Sequence, residues 1–167
     1  MTKYILCGGE LEDNPLDLQE FEGKKLLCIC SNQEWKIMNS LNIGNKVNIV
    51  VPNKNELLSE QIIDSDIIFI GGDDCSALLN QLNQVNDLAK LFKGKVIIGT
   101  HCGSSVLAKH YYDKNQGKCC NGIGVLPIKL ISHFDETISE SEHELAHFGG
   151  AFPVIALHDK ESLVITN

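Results

Sequence analysis

The residues of this chain best placed to do chemistry lie in one stretch, Lys95 to Ser105, KVIIGTHCGSS. The β-branched run Val96-Ile97-Ile98 has the pattern of a strand buried on both faces. Small residues break it at Gly99-Thr100-His101-Cys102-Gly103-Ser104, and from Ser105 onward Val106, Leu107 and Ala108 restart as a helix. Strand, sharp turn and helix together make a nucleophile elbow, which lifts one side chain above a parallel sheet. Such a turn is strained and a substrate approaches its backbone closely, so its neighbours must be small. In the G-x-nucleophile-x-G spacing, Gly99 and Gly103 bracket His101, where serine or cysteine is expected. Cys102 is chemically the best nucleophile, because a thiol beside a helix N-terminus and a histidine is the kind that ionises readily. Shifting the spacing by one residue, Thr100 to Ser104, still leaves small residues around it. Ser104 falls inside the helix start and points poorly, and His101 itself is an unusual nucleophile for amide hydrolysis. The alternative to all of these is a site that keeps its pocket without turnover.

A second motif competes. His143-Glu144-Leu145-Ala146-His147 spells H-E-x-x-H, which on a helix puts both imidazoles on one face with the glutamate as general base. A catalytic zinc needs a third protein ligand. The extended pattern places Pro153 where that ligand belongs, and nothing in the sequence argues for His158 or Glu161 instead. The segment reads as an exposed helix with a coincidental motif, the alternative being a zinc hydrolase centred on His143 and His147.

The elements that must position these residues alternate along the chain. Strands are expected at Tyr4 to Cys7, Lys25 to Cys30, Val47 to Val51, Asp66 to Ile70, Val96 to Ile98 and Val125 to Ile131. Helices are expected at Asn32 to Leu41, Asn55 to Ile63, Ser139 to Phe148, and along one long apolar stripe from Ala77 to Leu91. Glu10 to Gly23 is acidic and reads as a loop with one short helix, and Lys109 to Cys120 is polar and ambiguous. Val154 to Leu157 and Leu163 to Ile165 read as an antiparallel hairpin at the sheet edge. Nearly all-apolar strands alternating with helices imply right-handed βαβ units in an open, doubly wound, mostly parallel sheet covered on both faces. Ligands bind such sheets beyond the carboxyl ends of the strands, where Gly8-Gly9, Gly71-Gly72 and Gly99 to Gly103 all fall.

Length and composition set the frame. A chain of 167 residues is expected to form one domain, residues 1–167, with a substantial core. A formal net charge of −8 argues against nucleic acid or an anionic membrane as partner. The opening MTKYILCGG reads as a first strand without a signal-peptide layout, so a cytoplasmic protein is expected. The seven cysteines lack zinc spacing, and in a reducing compartment most of them are expected to be structural thiols rather than a disulfide framework.

Three segments in order, DIIFIGGDDCSALLNQL, KVIIGTHCGSS and GIGVLPIKLISHFD, resemble the peptidase E family of serine peptidases, which includes aspartyl dipeptidases and cyanophycinases. The resemblance covers Asp66 to Asp135 well and the rest loosely. It implies the fold of the class I glutamine amidotransferases, with helices on both faces of the sheet. The family spells its elbow G-x-S-A-G, so its serine falls on His101 and its alanine on Cys102. Its catalytic histidine matches His133, with Ser132 replacing the preceding proline. Its acidic triad member falls near Asp113, which taken alone reads first as an ordinary solvated carboxylate. Its G-G-[DN] turn, which offers a backbone amide to the oxyanion, matches Gly71-Gly72-Asp73, and Gly103 lines the same site. Asp73 and Asp74 also suit the cap of the following helix.

The sequence therefore reads as a peptidase E-like hydrolase of small peptides, aspartyl peptides by inheritance, acting by acyl transfer with a non-standard nucleophile. The alternatives are an inactive relative binding a small ligand or partner in the same cleft, and the zinc hydrolase. No cofactor or metal is expected. The expected partner is a small peptide or amino-acid-like ligand, not nucleic acid or membrane, and a homodimer is left open.

Overall fold

Five apolar runs become the parallel strands of one sheet, and their alternating side chains fill a core on each side of it. The computed structural model describes residues 1–14, 16, 19–30 and 47–167. The parallel strands are β1 (Lys3–Cys7), β2 (Lys25–Cys30), β3 (Asn48–Val50), β4 (Ile67–Gly71) and β5 (Val96–Thr100). Side chains on successive strand residues point to opposite faces. Tyr4, Leu6, Leu27, Ile29, Ile68, Ile70 and Ile97 accordingly pack in one cluster, and Ile5, Cys7, Leu26, Cys28, Ile67, Phe69 and Ile98 in the other. Burying each such large side chain stabilises the fold by about 1.5–3 kcal/mol.

The last strand, β10 (Ser162–Thr166), closes this sheet by running antiparallel to β1, giving the order β10-β1-β5-β4-β2-β3. A second sheet of four strands has the order β7-β6-β8-β9, built from β6 (Ala108–Asp113), β7 (Lys118–Asn121), β8 (Leu126–Ile131) and β9 (Val154–Ala156). The β6–β7 pair is antiparallel, whereas β6–β8 and β8–β9 are parallel. The architecture is α/β and mostly parallel, as the strand pattern predicts. Among the described residues no helix is long and apolar enough to cross a membrane.

Several expectations are corrected. The C-terminal hairpin does not exist: β9 pairs with β8 and β10 with β1, so the two strands lie in different sheets. Apolar alternation marks a strand but not its partner. The long helix from Ala77 to Leu91 is broken into α2 (Cys75–Leu82) and α3 (Leu88–Leu91). Asp87 sits between them at φ 55°, yet Val85 and Leu88 stay buried, so the stripe reports burial rather than helical continuity. The helix after the strained turn, α4 (Cys102–Leu107), is short and wholly buried, and Ala108 already belongs to β6. The ambiguous polar stretch resolves into β6 and β7. Of the other helices, α1 (Leu58–Ile63) and α5 (Ser139–His147) lie within the expected spans, and Asn32 to Leu41 lies outside the described residues.

Candidate active site

The site forms where β1 and β5, neighbours in the sheet, release their chains side by side, Cys7 opposite Thr100. Gly8-Gly9-Glu10 leaves β1 and His101 leaves β5. The carbonyl of Gly9 accepts from the His101 amide (3.2 Å), and that of Gly8 from the His133 amide just past β8 (2.9 Å). One strand end thus holds the backbones of both histidines. Each pays a conformational cost, since His101 (φ 47°) and His133 (φ 50°) are non-glycine residues in a region of positive φ. Gly8 and Gly9 must be glycine because a Cβ there would lie 2.1 Å from the His158 carbonyl oxygen and 2.6 Å from that of Asp159. This close approach brings the segment carrying Asp159 over the end of β1. Asn14, itself buried, fixes the arrangement by donating through Nδ2 to the carbonyls of Asp159 (2.6 Å) and Glu10 (3.1 Å).

The side chains converge. The rings of His101 and His133 meet edge to face with centroids 4.2 Å apart. Glu10 Oε1 lies 3.1 Å from His101 Nδ1 and 3.8 Å from His133 Nε2. On its other nitrogen, His133 donates from Nδ1 to Asp159 Oδ1 at 2.5 Å. The contact with Glu10 raises the His133 pKa above the ordinary histidine value, burial opposes it, and Asp159 adds to the rise. With two carboxylates facing it, His133 is held more basic than an ordinary histidine.

Behind this cluster the strand–turn–helix at His101 is packed against the end of β4. A Cβ on Gly103 would fall 1.8 Å from the Ile70 carbonyl oxygen, and one on Gly99 2.7 Å from the Ser104 amide. Those contacts explain both glycines of the bracketing pattern. Ser104 Oγ is buried between the carbonyls of Cys7 (2.8 Å) and Gly99 (2.7 Å), so its hydroxyl is structural. Gly72 follows β4 at φ 117°, and Asp74 caps α2 by accepting from the Ala77 amide (2.9 Å). Asp73 is exposed, and its carbonyl accepts from Asn115 Nδ2 (3.3 Å).

Two expected catalytic residues are corrected. Cys102 is disulfide-bonded to Cys75 and buried, so in this state it offers no thiol. As the first residue of α4 it turns inward against the start of α2, away from the apex that His101 occupies. The same bridge takes two cysteines out of the expected set of structural thiols. Asp113 is neither a solvated carboxylate nor bonded to His133. It is buried, and its oxygens accept from the Asn115 and Gln116 amides (3.0 and 3.1 Å) and from Gln116 Nε2 (2.9 Å). The carboxylates that do meet His133 are Asp159 and Glu10.

The H-E-x-x-H residues sit on α5, where His143, Glu144 and His147 are exposed. His147 Nδ1 donates to the His143 carbonyl (2.8 Å), and His158 and Glu161 bond each other (3.0 Å) rather than joining them. Among the described residues the grouping with metal-ligand geometry is instead Glu10, His101 and His133. Sequence reasoning missed Glu10 and Asp159. Glu10 carried a usable signal, since it directly follows the Gly8-Gly9 strand end, whereas Asp159 stands in no motif.

The mostly parallel α/β fold with a strained strand-to-helix turn is of the class I glutamine amidotransferase-like kind. The chain belongs to peptidase family S51, which it matches over residues 37–167, and this supports a peptidase-like hydrolase. Its fold is similar to the crystal structure of a candidate peptidase E from Listeria monocytogenes EGD-e. That similarity has a TM-score of 0.67 at 17% identity, covering 99% of this chain and 94% of that one. A match to a region of a fungal multi-domain GH3 beta-N-acetylglucosaminidase, 17% identical over 56% of this chain and 11% of that one, has a TM-score of 0.32 and carries no argument. No curated protein matches the chain.

Proposed function

We propose that this protein hydrolyses an amide bond of small peptides or amino-acid-like substrates at His101 and His133, with water rather than a side chain as nucleophile. The observation that carries the reading is His133, braced by Asp159 and facing His101 across 4.2 Å at the place where the family's serine would stand. A water between these groups loses its proton to His133 Nε2 as its oxygen attacks the carbonyl carbon. Asp159 and Glu10 stabilise the imidazolium, which then protonates the leaving amine. The oxyanion is received by the backbone amides of Gly72 and Cys102. A positioned base contributes about 10²–10⁴-fold, and each oxyanion donor about 10²–10³-fold.

The groove beside the Gly72 turn is lined by Asp73, Asp74, Ser76, Asp113, Asn115 and Gln116. Its acidic walls disfavour a substrate carboxylate, so the reading departs from the family's aspartyl peptides and favours neutral or basic residues at that end. A second reading, a ligand-binding relative without turnover, is favoured by the absence of a hydroxyl or thiol at the apex. The expected cytoplasmic location belongs to the same reading, and a Cys75–Cys102 bridge recovered intact from cells would speak for an oxidising compartment instead.

Hydrolysis of a dipeptide panel by wild type and His133→Ala tests the reading. Turnover lost in the variant supports it, and ligand-induced thermal stabilisation without any turnover selects the second reading.

A further inference from the structure

We propose that Glu10, His101 and His133 form a binding site for one divalent first-row transition ion of the zinc class. This deepens the water-based reading above, because the ion would activate the water that His133 otherwise deprotonates. Two imidazoles and one carboxylate are the donor types such ions take, and three protein ligands with an open fourth position are the pattern of catalytic zinc.

The geometry carries the inference through four observations. One ligand atom from each of the three residues lies within 4.8 Å of the other two. Two of the separations, 3.1 and 3.8 Å from Glu10 Oε1, bracket the roughly 3.3 Å expected between neighbouring ligands on a tetrahedral ion with bonds near 2.0–2.1 Å. His101 Nδ1 is buried and makes no hydrogen bond among the described residues, although Glu10 Oε1 is 3.1 Å away. The two atoms are close but not aligned on each other, as ligands of a common centre are. Finally, His133 gives its Nδ1–H to Asp159, which leaves the Nε2 lone pair directed at the cluster. A carboxylate on the far nitrogen is the usual outer support of a metal-bound histidine.

The site is also held in place before any ion arrives. Gly8 and Gly9 carbonyls fix both histidine backbones, and Asn14 ties Glu10 to Asp159. His143 and His147, by contrast, remain exposed on α5, with His147 Nδ1 bonded to the His143 carbonyl.

The test begins with chelator-stripped protein titrated with Zn²⁺ by calorimetry and with Co²⁺ by visible absorption. One ion per chain is expected, with Co²⁺ bands of nitrogen and oxygen ligation and no thiolate charge-transfer band. Saturation at a hundredfold over Kd should raise Tm by roughly 5–10 °C. His101→Ala, His133→Ala and Glu10→Gln should each abolish stoichiometric binding, while His143→Ala should not change it. Asp159→Asn removes no ligand and is nearly isosteric, so it guards against loss by misfolding. It should weaken binding by about 10–100-fold while circular dichroism stays unchanged. No binding by wild type, or binding lost in His143→Ala and kept in His101→Ala, would overturn the proposal. A bound ion without peptide turnover would keep this site and remove the hydrolase reading. Chelator-insensitive turnover without a bound ion would do the reverse.

Discussion

Reducing the Cys75–Cys102 bridge removes a cross-link between residues 27 apart in sequence. In the chain-entropy treatment a loop of this size restricts the unfolded chain by about 12 cal/mol/K, or about 3.5 kcal/mol at 25 °C. Both sulfurs are buried against the same core, so the reduced thiols stay packed and the loss is mainly that of the constraint. For a chain of this size each kcal/mol moves Tm by about 2–4 °C, so the expected drop is roughly 7–14 °C. The assay is a calorimetric melt with and without a phosphine reductant, beside Cys75→Ala and Cys102→Ala. Wild type in reductant should melt with the two variants, and the variants should ignore the reductant. Peptide mapping without reductant should recover the Cys75 and Cys102 peptides linked. A linked pair whose reduction leaves Tm within about 2 °C would refute the entropic reasoning, and no linked pair would refute the bridge.

Turnover and stability should move in opposite directions through the His133 titration. The raised pKa means that the charged ring's stabilising contacts are complete below the ordinary histidine value of 6.5 and are lost as pH rises through the folded value. A neutral base is needed for hydrolysis, so kcat/KM should rise over that same window, and Glu10→Gln should shift the limb to lower pH; an unshifted limb assigns it to another group. Gly103→Ala drives a methyl into the Ile70 carbonyl and should destabilise by about 1–3 kcal/mol or more, read by urea denaturation. Asn14→Ala leaves two backbone carbonyls without their donor and should destabilise by about 1–3 kcal/mol, and it should also lower kcat/KM because it loosens Glu10 and Asp159 together. Equal kcat/KM in wild type and Asn14→Ala would show that this tie does not position the site.

The parallel sheet was legible because its strands carry burial on both faces, and an uninterrupted run such as DIIFI has few other uses. The strained turn was legible too, since Gly99 and Gly103 are forced by backbone contacts under 3 Å. Strand partners were not, because alternation in Val154 to Leu157 and Leu163 to Ile165 is equally satisfied by two different sheets. Cys102 was misread because a nucleophile is decided by direction. One residue past the apex, the same side chain faces the core and Cys75 rather than the histidine cluster. Asp113 was chosen by distance along the chain, yet Asp159 reaches His133 from the segment between β9 and β10, admitted by the glycines at Gly8 and Gly9. H-E-x-x-H was correctly read as an exposed helix, and the grouping with ligand geometry came from three separate strand ends.

The most direct test of the central claim is the rate of dipeptide hydrolysis by wild type, His133→Ala and Cys102→Ala, measured well below the lowest Tm. If the cluster at His101 does the chemistry, His133→Ala loses at least about 10²-fold, while Cys102→Ala stays within tenfold of wild type. Turnover abolished in Cys102→Ala and retained in His133→Ala would contradict the account and restore the sulfur as nucleophile.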